Sequence, residues 1–157
     1  MEQNKVQAIR YDSGSVSLKV INEFEEKFKI KFPNSFIKLI SMHNGVKFLN
    51  NNFNYLDDES QDNESSISFC SFGEVNATKI DDFQDYDVYG DEKIISFGLN
   101  GGGDYIAFDY RKNPTTDEPL VVIMYHDDYV EDENGASKMR VIKVADTFDD
   151  FLSMLHE

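Results

Sequence analysis

The 157-residue chain has no tryptophan, a single cysteine, and fifteen Lys or Arg against thirty Asp or Glu. Each shortage excludes something. Cys70 has no second cysteine to pair with, so an internal disulfide framework of the kind that staples small secreted domains is excluded. The shortage of bases leaves a formal net charge of -15, which argues against direct nucleic-acid binding because a phosphate backbone would be repelled. No apolar run approaches the roughly 18 residues that a membrane helix needs. Met1 to Arg10 also lack the apolar stretch of a signal peptide. The expected setting is therefore cytoplasmic, with no membrane association. With tryptophan absent, thirteen Phe and eight Tyr supply the aromatic surface, and 40% hydrophobic residues suffice for one core. Residues 1–157 are read as a single domain, with 1–14 as an N-terminal lead and 50–66 as a polar, mobile loop.

Charge is unevenly placed. Residues 1–47 carry eight bases and five acids, whereas the rest of the chain carries seven bases and twenty-five acids. Stretches 48–78, 80–92 and 113–137 contain no Lys or Arg at all. For any one stretch the ordinary reading is a solubilising, solvated surface. The second and third are interleaved with Tyr86, Tyr89, Tyr125 and Tyr129. Acid with tyrosine suits the grip of a basic protein surface, since aromatic anchors supply energy and charge supplies steering.

Apolar spacing places the elements. Leu18, Ile21, Phe24 and Phe28 recur at three- and four-residue intervals, which predicts a core-facing helix from Ser17 to Phe28 capped by Ser15 or Ser17. Pro33 suits the first turn of a second helix, Asn34 to His43, whose buried face is Phe36, Leu39 and Ile40 and which stops at Asn44-Gly45. His43 in its last turn fits a capping role. Short strands follow, expected at Val46 to Leu49, Ile67 to Phe72, Lys93 to Phe97, Tyr105 to Tyr110, Leu120 to His126 and Arg140 to Val144. A last helix, Thr147 to Leu155, is capped by Asp146 and presents Phe148, Phe151, Leu152 and Leu155. Helices then strands implies an α+β domain, with a predominantly antiparallel sheet of about six strands under a helical hairpin and a C-terminal helix.

The search for chemistry is nearly empty. Gly98 to Gly103 lacks the Gly-Lys-Ser/Thr ending of a phosphate loop and the spacing of a dinucleotide fingerprint. It reads as a strand turn, with Asp104 accepting backbone amide hydrogens. Asp85-x-Asp87 begins like a calcium loop, but Tyr89 stands at the third ligand position and Ser96 at the twelfth. Around Asp132 the failure is similar, with Val130 first and Val141 twelfth. His126-Asp127-Asp128 holds metal-ligand types without a second nearby histidine. Cys70 lies between Phe69 and Phe72 and reads as a small core hydrophobe. Nothing isolates a carboxylate pair in an apolar cleft. No catalytic residue, metal or cofactor is expected.

Four blocks in order carry a resemblance. They are Ile21-x-x-Phe24-Glu25; Phe32-Pro33-x-x-Phe36-x-x-x-Ile40 with Asn44-Gly45; Phe97 to Asp109 around the glycine turn; and Thr147 to Leu152. Together they resemble the SUKH superfamily, which includes fungal cell-wall assembly regulators and bacterial toxin-immunity proteins. Matching positions are Ile21, Phe24, Glu25, Pro33, Phe36, Asn44, Gly45, Gly98, Gly103, Asp104, Phe108, Asp109, Phe148 and Leu152. Phe32 and Phe36 stand where Leu and Tyr are more usual, and Val46 replaces a second Gly. The resemblance implies a binding domain without catalysis, an immunity protein for a cognate toxin, often a nuclease. A regulatory scaffold like the fungal members is the other class, and the lack of a long disordered extension favours immunity. The expected partner surface carries Asp81, Asp82, Asp85, Tyr86, Asp87, Tyr89, Asp91, Asp127, Asp128, Tyr129, Glu131 and Asp132. The next surface in line is the basic helical face of Lys27, Lys29, Lys31 and Lys38.

Overall fold

A computed structural model describes residues 8–75 and 78–157, without the side chains of residues 88 and 89. Strand β1 (Ile9–Tyr11) leads into helices α1 (Leu18–Phe28) and α2 (Asn34–Met42). The Ser17 hydroxyl caps α1 by accepting the Val20 N–H at 3.4 Å, and Lys29, at φ 58°, ends it in the left-handed region. Ile21 and Phe24 are buried as expected, but Leu18, also placed on the core face, is the first residue of the helix and is 55% exposed. Pro33 precedes α2, whose Phe36 and Ile40 are buried. His43 caps α2 from its C-terminal side and pairs through Nδ1 with Asp12 at 2.9 Å, tying the lead segment to the hairpin.

Strands β2 (Lys47–Phe48), β3 (Asn52–Leu56), β4 (Asp62–Ser66) and β5 (Ser68–Phe69) come next. The 50–66 stretch is not a loop: β3 and β4 form an antiparallel hairpin that buries Phe53 and Tyr55. Its alternation is carried by β3 alone, while β4 is almost wholly polar, so composition concealed the pairing. A 3₁₀ turn (Ile80–Phe83) and short helix α3 (Tyr86–Tyr89) then precede β6 (Ile94–Leu99), β7 (Tyr105–Asp109), β8 (Leu120–Glu131), β9 (Ser137–Ala145) and α4 (Phe148–Met154). The domain is α+β with antiparallel sheets. The main sheet has five strands in the order β5-β6-β7-β8-β9, and β1-β2 and β3-β4 are separate pairs.

Period-two alternation splits the main sheet's side chains. Ile95, Phe97, Ile106, Phe108, Val121 and Ile123 join the helices in the main core. Ile94, Ala107, Val122, Met124 and Met139 form a second cluster on the opposite face, against which Tyr86 of α3 packs. Phenylalanine rings dominate the main core: Phe97 stacks on Phe108 at 4.1 Å, and Phe36 meets Phe97, Phe108 and Phe148 edge-on at 5.1 to 5.6 Å. Gly98 is required by close approach, since a Cβ there would lie 2.7 Å from Ile67 Cδ1 and 3.1 Å from the Ser68 carbonyl.

Two caps differ from expectation. Thr147, in extended backbone, accepts the Asp150 N–H at 3.1 Å and caps α4, while Asp146 instead pairs with Lys143 at 2.8 Å. In the glycine turn, Asn100 Oδ1 accepts the Gly102 and Asp104 N–H groups, whereas Asp104 turns away toward β8. Gly103, at φ 91°, makes the reversal possible.

Candidate functional site

The expected partner residues lie in three places. Asp81, on the 3₁₀ turn, faces α1, with its carboxylate 3.6 Å from Lys27 Nζ. Asp82 is exposed beside it. The second group is borne by α3, where Asp85 and Asp87 are exposed and Asp91 accepts the Lys93 N–H at 2.8 Å. The third belongs to the β8–β9 hairpin, whose Tyr129 and Val130 are 44% and 39% exposed and whose Glu131 is exposed.

The second and third groups share a surface. A Cβ on Gly90, the C-cap of α3, would fall 2.6 Å from Lys138 Cγ on β9, so α3 ends against the hairpin stem. Tyr105 of β7 packs on the second cluster beside Tyr86: burial raises its phenol, and the charges of Asp85 and Tyr129 raise it further. Tyr86, by contrast, spends its ring in packing, 6.2 Å from Phe28 edge-on; burial, with help from Glu92, pushes its hydroxyl up to about 12. Of the three expected tyrosines, Tyr129 is the one whose described side chain reaches solvent; the side chain of Tyr89 lies outside the described residues. Asp132 works partly as a turn builder, accepting the Asn134 and Ala136 N–H groups at 2.9 Å. These bonds hold its carboxyl below the usual range.

Asp127 and Asp128 lie on a large bulge. Met124 faces Val141 and Tyr129 faces Met139, so Tyr125 to Asp128 stand opposite Arg140 alone. Each bulge residue but Asp127 is tethered. The Tyr125 hydroxyl meets that of Tyr55 at 2.5 Å, and the His126 N–H and Nδ1 both contact Asp104 Oδ1, at 3.0 and 2.6 Å. Asp128 shares Arg140 with Asp58, at 2.8 and 2.6 Å. Burial pushes Asp104 up, but the His126 backbone and ring and the Asn100 amide outweigh it and leave the carboxyl low. The hydrogen bond to Asp104 in turn raises His126. None of these tethers follows from local spacing, because the partners are 12 to 82 residues apart.

Asp104, His126 and Asp127 place three ligand-type atoms within 4.8 Å of one another, a set that could hold a divalent cation. Here Asp104 and the His126 imidazole already satisfy each other. An imidazole oriented by a carboxylate supplies two of the three members of a hydrolytic triad, yet among the described residues no hydroxyl or thiol hydrogen-bonds His126. Burial pushes the Cys70 thiol up to about 12, which makes it a poor nucleophile.

The ordered blocks now have structural roles. Glu25 accepts the Phe32 N–H at 2.7 Å across the α1–α2 turn, and buried Asn44 bonds both the N–H and the C=O of Phe72. The model of the SMI1/KNR4 family (SUKH-1) matches residues 15–154. The chain belongs to that family. SUKH proteins include toxin-immunity proteins, and the family is known mainly for non-catalytic immunity and regulatory domains. Neither the curated proteins nor the solved structures include a match to the chain. Among the described residues of this SUKH-1 domain, no helix is long and apolar enough to cross a membrane.

Proposed function

We propose that this SUKH-1 domain is an immunity protein that binds and neutralises a cognate bacterial toxin domain, a basic nuclease, in the cytoplasm. The observation that carries the reading is the convergence of two base-free stretches on one surface, where α3 abuts the β8–β9 hairpin and Tyr129 is exposed among Asp85, Asp87 and Glu131. A nuclease site is basic because it holds phosphate, so an acidic partner can occupy it at a rate raised by long-range attraction. The wider proposed contact set is Asp81, Asp82, Asp85, Tyr86, Asp87, Tyr89, Asp91, Asp127, Asp128, Tyr129, Glu131 and Asp132, with Tyr129 as its anchor. Family membership supports a protein partner, and catalysis plays no part in the proposal.

The test is binding kinetics against the toxin-like domain encoded in the adjacent reading frame, with growth rescue in cells expressing it. Replacing Asp85, Asp87 and Glu131 by Asn or Gln should slow association about tenfold at low salt and flatten its salt dependence. Tyr129→Ala should instead speed dissociation, by about tenfold or more for an anchor of a few kcal/mol. Unchanged rates in both variants, with full rescue, would sink the proposal and turn attention to the face of Lys29, Lys31 and Lys38.

A further inference from the structure

The main sheet ends at β9, and among the described residues no strand pairs with its outer side. Alternate residues of such an edge turn their N–H and C=O groups outward, which is a template for another strand. Beside this edge lies a groove of about 410 Å³, with Val141, Ile142, Lys143 and Val144 along one wall and Leu56, Asp57 and Asp58 along the other. Leu56 is 61% exposed, and with half-buried Val141 it gives the groove an apolar lining. The β3–β4 turn that forms the second wall is held in place: Asp57 accepts the Glu59 and Gln61 N–H groups at 2.9 Å, and Asp58 pairs with Arg140 of β9. The groove is thus a built feature at the edge of the sheet.

We propose that the β9 edge is a docking site for an extended segment of a basic protein, which adds to the sheet as a sixth strand over Val141 to Val144 with cationic side chains toward Asp57 and Asp58. Charge selects this occupant. Both cations next to the groove are already held, Arg140 by Asp58 and Asp128 and Lys143 by Asp146 at 2.8 Å. Asp57 is met by amides and no cation, so the field in the groove stays negative. A second copy of the chain would bring another -15 to the same edge and is disfavoured by repulsion. Main-chain pairing makes few demands on sequence, so a basic segment docked here would be read mainly by its charge and alternation. This site adjoins the Tyr129 surface at Arg140, which Asp58 and Asp128 share, but its test involves no toxin, so either proposal can fail alone.

The probe is a short synthetic peptide of alternating Lys and Val, titrated into the intact protein and followed by calorimetry and amide hydrogen exchange. Binding should slow exchange about tenfold or more at alternate amides between 141 and 144, the signature of a newly paired edge. A backbone N-methylated version that cannot donate its hydrogen bonds should bind about tenfold or more weakly. A Glu/Val peptide should not bind, and Leu56→Lys, which places a like charge at an exposed position of the groove, should weaken the Lys/Val peptide while leaving the melting temperature unchanged. No binding of the Lys/Val peptide would overturn the proposal. So would equal binding of the N-methylated version, protection confined to 85–91 and 129–132, or a concentration-dependent dimer that already protects β9.

Discussion

Two buried polar side chains, Asn44 and Ser96, have opposite value to the fold. Asn44 is fully buried, and its amide donates to the Phe72 carbonyl at 2.9 Å and accepts the Phe72 N–H at 2.8 Å, substituting for a missing strand. Asn44→Ala would leave both backbone groups buried and unpaired, at a cost of about 3 kcal/mol in chemical denaturation. Ser96 is equally buried, but its hydroxyl has no hydrogen-bond partner among the described residues. Its backbone needs are met by Gln84, which accepts the Ser96 N–H and donates to its carbonyl. Ser96→Ala should therefore leave stability unchanged or raise it by up to about 1 kcal/mol, and a clear loss in the same assay would show that the hydroxyl is paired.

Among the elements, the bulge in β8 depends on pH through a titratable pair. It is held to the β6–β7 turn through His126 and Asp104, and linkage gives each a direction. His126 is raised above 6.5 by the Asp104 hydrogen bond, so its stabilisation is complete below 6.5 and is lost as pH rises through the raised value. Asp104 is lowered below 3.8, so its share is complete above 3.8 and is lost as pH falls through the lowered value. The pair should stabilise most between about pH 4 and 6.5. The melting-temperature gap between wild type and His126→Gln should be widest there and shrink as pH rises through the raised value. A gap independent of pH would mean that His126 holds the bulge by shape alone.

For the molecule as a whole, the net charge of -15 opposes the compact state through self-repulsion. Many carboxylates are used locally, Asp57 and Asp132 as turn acceptors and Asp81, Asp128 and Asp146 in ion pairs, yet acids outnumber bases two to one. Raising NaCl to about 0.5 M, where the screening length falls to several ångströms, should raise the melting temperature. A fall would show that the exposed ion pairs outweigh the repulsion. Binding to the proposed toxin should move the other way, slowing as salt rises, because screening weakens attraction to a basic partner.

What was legible in the sequence was whatever local spacing dictates. The three longer helices, the positions of β6 and β7, the burial of Phe24, Phe36, Phe108 and Phe151 and the positive φ of Gly103 follow from period, punctuation and the sterics of one residue. The ordered blocks likewise sufficed to place the chain in its family, because each is a packing or turn requirement of the fold. Leu18, the β3–β4 hairpin, the α4 cap and the reach of Asp104 were decided by contacts between distant segments, which no local pattern encodes. The proposed partner surface divides in the same way. Its acids and tyrosines were visible as base-free stretches, but only the packing of α3 on β9 brought the α3 acids to the hairpin that bears Tyr129 and turned the Tyr86 ring inward. Composition determines how much charge and aromatic surface a chain carries, and tertiary packing decides which of it faces a partner, because burial and proximity depend on residues far apart in the chain.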